Sequence, residues 1–313
     1  MKAVIFNHYG GPEVLEYTDV VTPRPKAGEI RVSVKAASVN PVDWKVRMGR
    51  LKFITGRKFP QYLGGEVAGI IESTGSDVKV LKPGMRVFAG LSYKGGGYAE
   101  YACMPAKNAV VLPDNIPFEE ACTFAIAGIT PLQAMRDHAG IEEGMHVLVN
   151  GASGGVGTYA VQIAKLLGAR VTGVCSSRNA DLVTSLGADE VIDYGLDDFT
   201  LNTQTYDAII DAVGNKTFGQ VKSALKKHGY LIKLNHSFRT YFAQAWTTLF
   251  SSKKTKLVLL KNTTHDVKWI RDQVALGKIK VIIDRTYPLS EARKAHEYSE
   301  TGRARGKIVL VSD

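Results

Sequence analysis

Cysteine is scarce: Cys103, Cys122 and Cys175 are the three among 313 residues. They are too few and too scattered for a disulfide framework. No Cys-x-x-Cys pair occurs. The seven histidines, His8, His138, His146, His228, His236, His265 and His296, lie without ligand spacing, so no metal site is expected. No apolar run reaches membrane-spanning length. The opening MKAVIFNHYGG starts on an alternating strand pattern and lacks the charged and then apolar regions of a signal peptide, so a cytoplasmic location is expected. No serine sits in a Gly-x-Ser-x-Gly elbow between strand and helix; the nearest approach is Gly151-Ala152-Ser153-Gly154-Gly155.

Acids are the minority sign. Forty basic side chains against thirty acidic ones give a formal charge of +10. Such an excess attracts an anionic partner or simply solvates the surface. The one dense cluster, Lys253, Lys254 and Lys256, is short and has no low-complexity context. Nucleic acid is therefore not expected, and a phosphate-bearing small molecule accounts for part of the charge. With 45% hydrophobic and 22% charged residues, the chain is globular and long enough for two cores.

The first third reads as short strands. Ile30, Val32 and Val34 alternate with polar residues, and Leu15 to Val21, Glu66 to Glu72, Val87 to Ala89 and Tyr98 to Ala102 are further candidates. Turn chemistry at Gly10-Gly11-Pro12, Lys82-Pro83-Gly84 and Gly95 to Gly97 separates them, which suggests a β-barrel-like domain. Near Cys122 the pattern changes to helices alternating with apolar strands, the mark of a parallel sheet. Strands are expected at Val147 to Asn150, Arg170 to Cys175, Val191 to Asp193, Ala208 to Asp211 and Tyr230 to Leu234. Helices are expected at Thr158 to Leu167, Asn179 to Leu186 and Lys216 to Lys227. In the tail, Asp266 to Leu276 and Glu291 to Tyr298 read as helices, the latter capped by Ser290. Lys280 to Ile283 and Lys307 to Val311 read as strands. The stretch Ser237 to Ser252 reads as loop.

Val147 to Gly157 runs VLVNGASGGVG straight into a helix. A glycine-rich turn between strand and helix suits a dinucleotide. Gly154 lets the backbone approach a pyrophosphate, Gly157 allows close helix–strand packing, and the helix N-terminus offers free N–H groups to phosphate. The cradle is thus Ala152, Ser153, Gly154, Gly155, Val156 and Gly157, with Ala152 replacing the first glycine of Gly-x-Gly-x-x-Gly; a purely structural βα turn is the alternative. About 20 residues on, an NAD site places an acid for the ribose hydroxyls. Here Cys175 is followed by Ser176, Ser177 and Arg178, with no carboxylate before Asp181. Two hydroxyls and a guanidinium suit a 2′-phosphate, so NADPH is expected; the alternative is that these residues only cap the next helix.

Together these features resemble the medium-chain dehydrogenase/reductase superfamily along essentially the whole chain. The segments that carry the likeness are MKAVIFNHYGGPEVLEY, Asn40-Pro41-Val42-Asp43-Trp44-Lys45, Gly64-Gly65-Glu66-Val67-Ala68-Gly69, Val78 to Val87, the ASGGVG loop, Leu186-Gly187-Ala188-Asp189 and Arg305 to Leu310. The nearest likeness is to chloroplast-envelope quinone oxidoreductase homologues and enone oxidoreductases. The alcohol dehydrogenase branch carries a zinc-binding histidine where this chain has Gly65, a Cys ligand near Ser38 to Asn40, and a four-Cys loop after Val87. None is present here.

The resemblance implies an α/β protein: a GroES-like β-barrel catalytic domain (1–122, with 263–313 returning to it) and a Rossmann doubly wound parallel sheet (123–262). It implies hydride transfer from NADPH to the C=C bond of an enone or alkenal, with a quinone as the rival acceptor. A non-catalytic NADPH-binding or membrane-trafficking role is the reading from another class. It places Asn40 and Thr130 near the nicotinamide, where turn and capping hydrogen bonds are the plainer alternative for both, and has Asp43 orient the Asn40 to Lys45 segment and not donate a proton. It puts Ser176, Arg178 and Tyr194 on the 2′-phosphate. Lys307 reaches the pyrophosphate, unless it is a surface lysine. A homodimer is expected, and peripheral membrane contact stays open.

Overall fold

The computed structural model describes residues 1–91, 95–234, 238–261 and 263–312. Of the residues singled out above, His236 and Ser237 lie outside the described residues. The chain divides into two compact units, Met1–Ile126 with Asn262–Ala275 and Ile282–Asp313, and Ala127–Lys261 with Leu276–Val281.

In chain order, the first unit begins with β1 (Lys2–Phe6), β2 (Glu16–Asp19), β3 (Glu29–Val39), β4 (Gln61–Tyr62), β5 (Glu66–Thr74), β6 (Arg86–Gly90), β7 (Tyr101–Pro105) and β8 (Val110–Val111). The second unit holds β9 (His146–Asn150), β10 (Arg170–Cys175), β11 (Glu190–Asp193), β12 (Tyr206–Asp211), β13 (Leu225–Lys233) and β14 (Lys254–Leu257). The tail adds β15 (Ile283–Pro288) and β16 (Lys307–Val311) to the first unit.

The larger sheet of the first unit runs β15-β16-β3-β5-β6-β8, with β7 also paired to β3, and a small sheet runs β2-β1-β4. The alternation read in β3 is a burial pattern: Ile30, Val32 and Val34 pack with Val67, Ile71, Val87, Met104, Ile308 and Leu310 in one core. This is the GroES-like half of an α/β fold. The second unit is a six-stranded, wholly parallel sheet in the order β11-β10-β9-β12-β13-β14. That order, third-second-first-fourth-fifth-sixth, is the doubly wound Rossmann arrangement, and ligands bind at the carboxyl ends of its strands where the order reverses, beside β9.

Several sequence expectations are corrected. The helix expected over Lys216 to Lys227 is only Phe218–Val221, because the fully buried Leu225 already pairs with Tyr206 in the sheet. The strand expected at Lys280 to Ile283 starts at Ile283. Before it, the Gln162 side chain takes both the Lys280 N–H (2.7 Å) and its C=O (2.9 Å), so an amide stands where a strand partner would. The strand read at Tyr98 to Ala102 is Tyr101–Pro105. Glu291, not Ser290, occupies the N-cap position of the helix Ala292–Glu300, since Ser290 lies inside a preceding single turn. The stretch read as loop after Ser237 is a helix, Phe238–Phe250. Tyr241, Phe242, Trp246, Leu249 and Phe250 are exposed on it, so it has no buried stripe of the usual kind to betray it.

Candidate functional site

In the second unit, β9 ends at Asn150 and the chain turns at Gly151, whose φ of +86° favours glycine. The N–H groups of Gly151 and Ala152 both donate to the Val174 carbonyl at 3.0 Å, which fastens the loop to β10. The helix Gly155–Leu166 then starts with Gly154 as its N-cap. A Cβ on Gly157 would lie 2.0 Å from the Gly151 oxygen, so glycine is compulsory where helix and strand meet. A Cβ on Gly154 would have a single protein neighbour, the Gly151 oxygen at 3.4 Å. Nothing in the packing requires glycine there, and the face of its Cα is open. Ala152, in place of the first motif glycine, is fully buried, and a Cβ on Gly173 would come within 3.1 Å of its methyl. The extra carbon is thus accommodated by a glycine on the neighbouring strand. Ser153 is buried too and accepts from Asn179 Nδ2 at 3.0 Å. Gly155 and Val156 form the first helical turn, whose N–H groups suit a phosphate. The residues present fit a dinucleotide pyrophosphate.

At the end of β10, Ser176, Ser177 and Arg178 lead into the next helix, with Ser177 and Arg178 exposed. Tyr194 is 68% exposed at the adjacent end of β11. Sequence reading missed the residue beside it. The parallel register sets Asp193 against Cys175, and its Oδ2 accepts from both the hydroxyl and the N–H (3.1 Å) of Ser177. The Ser177 hydroxyl first, and then the Gly195 N–H at 2.8 Å, hold the Asp193 carboxyl below its usual range. A carboxylate therefore reaches the slot sideways, from another strand.

A second group unseen in the sequence closes the ends of β9, β12 and β13. Asp211 is fully buried. Its Oδ1 accepts from Asn150 Nδ2 (2.9 Å) and Gly214 N–H (2.8 Å), and its Oδ2 accepts from Lys233 Nζ (2.5 Å) and Lys216 N–H (3.2 Å). One carboxylate thus ties the strand that feeds the glycine loop to the turn after β12. Thr130, half-buried on the helix Ile129–Gln133, also belongs to this unit.

The first unit carries Asn40, at the joint between β3 and the helix Pro41–Arg47. Asp43 Oδ2 accepts from the Asn40 N–H at 2.8 Å and from the Tyr98 hydroxyl at 3.1 Å, so Asp43 orients the segment. Burial pushes the Asp43 carboxyl up to about 6. The Asn40 side chain is fully engaged: Nδ2 donates to Ser38 Oγ (2.9 Å) and Glu66 Oε1 (3.0 Å), and Oδ1 accepts from Lys307 Nζ (2.6 Å). Lys307 Nζ also lies 3.5 Å from Glu66 Oε1. Ser38 donates to that same oxygen, and Glu66 Oε2 accepts from the Ile126 N–H at 2.7 Å. Lys307 is 4% exposed, so it is no surface lysine, and its partners in the structure are Asn40 and Glu66. A Cβ on Gly65 would meet the Ile126 side chain at 3.3 Å. Among the described residues, no group of three or more His, Cys, Asp or Glu side chains could hold a metal ion.

Tyr98 also packs edge-on against His296 at 5.8 Å. His296 is held down to about 3, first by burial and then by the Arg47 guanidinium, whose Nη1 lies 3.2 Å from its Nδ1.

The chain matches the alcohol dehydrogenase GroES-like domain over residues 26–114 and the zinc-binding dehydrogenase family over residues 186–310. It is 39% identical to a chloroplastic quinone oxidoreductase of Triphysaria versicolor, over 99% of this chain and 98% of that protein. The chain belongs to the medium-chain dehydrogenase/reductase superfamily, in its quinone oxidoreductase branch. Another member, the chloroplastic NADPH-dependent alkenal/one oxidoreductase of Arabidopsis thaliana, is 32% identical over 99% of this chain and 79% of its own length. Among solved structures of the branch, the quinone oxidoreductase of Coxiella burnetii superposes with a TM-score of 0.91 at 31% identity, covering 99% of both chains. The Escherichia coli quinone oxidoreductase complexed with NADPH gives 0.88 at 28% identity, over 99% of this chain and all of that one. Membership makes the protein an oxidoreductase on a nicotinamide-dinucleotide-binding fold. No helix among the described residues is long and apolar enough to cross a membrane.

Proposed function

We propose that this oxidoreductase uses NADPH to reduce the C=C bond of a small α,β-unsaturated carbonyl compound. The observation that carries the proposal is the pair of cofactor features on one sheet edge: the open face of Gly154 above a helix N-terminus, and the Ser176-Ser177-Arg178 slot, with Ser177 and Arg178 exposed and Tyr194 beside it. In this reading the loop from Ala152 to Gly157 cradles the pyrophosphate through backbone N–H groups. Arg178, Ser176 and Tyr194 bind the 2′-phosphate, the guanidinium supplying the charge-assisted bonds. Bound NADPH supplies the hydride. The protein supplies position and exclusion of water. Asp43 fixes the Asn40 corner, and Thr130 lies at the nicotinamide. With glycine at position 65 and no cysteine from Ser38 to Asn40, the side chains themselves offer no strong polarising group for an isolated carbonyl. A conjugated acceptor spreads the developing charge through its own π system.

A quinone is the second reading, favoured by the quinone oxidoreductases among its relatives. The deciding experiment follows NADPH oxidation with short enones, alkenals, quinones and simple aldehydes, and identifies the products. A saturated ketone or aldehyde supports the proposal. An allylic alcohol contradicts it, turnover of quinones alone selects the second reading, and no turnover leaves a non-catalytic NADPH-binding role. Light scattering of the purified protein tests the expected homodimer, and fractionation of the source cells tests the cytoplasmic location.

A further inference from the structure

β16 pairs antiparallel with β3, and the register sets Ile308 against Val39. The next position outward brings Lys307, the first residue of β16, to Asn40, 267 residues away in the chain. Four polar side chains meet there with almost no water contact: Ser38 is 0% exposed, Glu66 1%, Asn40 3% and Lys307 4%. Glu66 Oε1 takes bonds from Ser38, Asn40 and Lys307, and its Oε2 takes the Ile126 N–H. A hydrocarbon side chain of similar length would fill the same space without taking an ammonium out of water, so the charge calls for an explanation.

An asparagine amide has two ends of opposite character, and turning it over exchanges donor for acceptor. Here the Asn40 oxygen faces the Lys307 ammonium at 2.6 Å, and its NH₂ faces Glu66 Oε1 at 3.0 Å. Reversal would set NH₂ against an ammonium and oxygen against a carboxylate. The ion pair therefore fixes which way the amide points, and with it the corner where β3 turns into the helix Pro41–Arg47.

Resting on the function proposed above, the geometry points to Lys307 as a positioning residue: its buried ammonium, with Glu66, orients the Asn40 amide and the corner that follows it, and does not bind the pyrophosphate. Asn40 in turn shapes the site by where it holds its segment, since all its polar atoms are bonded to protein.

The test compares Lys307→Met with the double variant Glu66→Gln/Lys307→Met. The single variant strands a buried carboxylate, so it lowers both the melting temperature and kcat. The double variant removes both charges. Its melting temperature should return to near that of the wild type, while kcat stays about tenfold or more below it, and the Kd for NADPH, read by fluorescence, stays within about threefold. Recovery of kcat together with melting temperature would reduce Lys307 to a structural role and overturn the inference. A tenfold weaker NADPH with kcat preserved at saturation would also overturn it, in favour of a pyrophosphate contact. Wild-type turnover tests the proposed function separately. A neutron crystal structure of the double variant, which distinguishes the amide oxygen from the NH₂, reads the inference with no acceptor present: an Asn40 amide that is turned or split between orientations supports it, and an amide left in place overturns it.

Discussion

The Asn40 cluster in the first unit and the serine–arginine slot in the second are both built from polar side chains, yet they are opposites. In the first, every polar atom of Asn40 and Glu66 is bonded inside the protein, and no member is more than 4% exposed. In the second, the Arg178 and Tyr194 side chains stand in solvent, while Ser177 gives its hydroxyl and N–H to Asp193. The buried group is organised before any ligand arrives, and its charges are expensive to disturb. The open slot has little internal structure to lose, so changes there should alter ligand choice and leave the fold intact.

The sharpest way to break this contrast is to remove one charge from the closed group. Glu66→Gln keeps the shape but strands the Lys307 ammonium, and should cost about 3–5 kcal/mol of stability, read by urea unfolding. A cost below about 1 kcal/mol would mean that the cluster is as soft as a surface pair.

In the open slot, Arg178→Ala should leave the melting temperature unchanged and weaken NADPH by about 10- to 150-fold, the factor for one charge-assisted bond of about 1.5–3 kcal/mol. NADH affinity should hardly move. Equal loss of both cofactors would show that the guanidinium stacks on the shared adenine instead.

Two buried groups on either side of Tyr98 allow the closed unit to be tested by pH. His296, near 3 against an ordinary 6.5, stays neutral in the folded chain while the unfolded chain takes up a proton. Its effect is a loss of stability as pH falls through 6.5 towards 3, up to about 1.4 kcal/mol per unit. Asp43, about 6 against 3.8, does the reverse: the folded chain keeps a proton that the unfolded chain releases, so stability falls as pH rises from 3.8 to about 6. The slopes oppose each other where the windows overlap. Between about pH 4.5 and 6, Asp43→Asn should therefore make the protein more acid-labile than the wild type, and His296→Gln should make it relatively more stable at the acid end. Parallel slopes for the two variants in urea unfolding would refute this assignment.

The smallest expected effect is at Asp193. Its carboxylate occupies the hydroxyl of Ser177, one of the residues of the proposed 2′-phosphate slot. Asp193→Asn should raise the preference for NADPH over NADH by about two- to fivefold, as suits one exposed charge, and the gain should fade in high salt. A drop in preference would mean that Asp193 helps the slot by holding Ser177 in place.

What could be read from the sequence follows the same division. The fold class was legible because burial repeats locally: every second residue of β3, and the strand–glycine–helix order from Val147 onwards. The glycine loop and the serine–arginine run could be singled out as candidates because their residues are consecutive in the chain. The contacts of Lys307 were not. They depend on the pairing of β16 with β3, and sequence separations of 267 from Asn40 and 241 from Glu66 leave no local pattern. Gly65 was legible as a missing ligand, but Ile126 beside it was not, for the same reason. The helix Phe238–Phe250 escaped because its apolar residues face outward, where periodicity does not signal a core.

The parallel pairing of β10 with β11 has one more consequence. In the proposed reading, recognition of the adenosine end is not a property of a single loop. A graft that transferred residues 175–178 to another scaffold would carry the guanidinium and the hydroxyls but leave behind the acid that restrains one of them. If the proposed function holds, cofactor choice is a trait of two neighbouring strands, and a change at Asp193 is felt at Ser177.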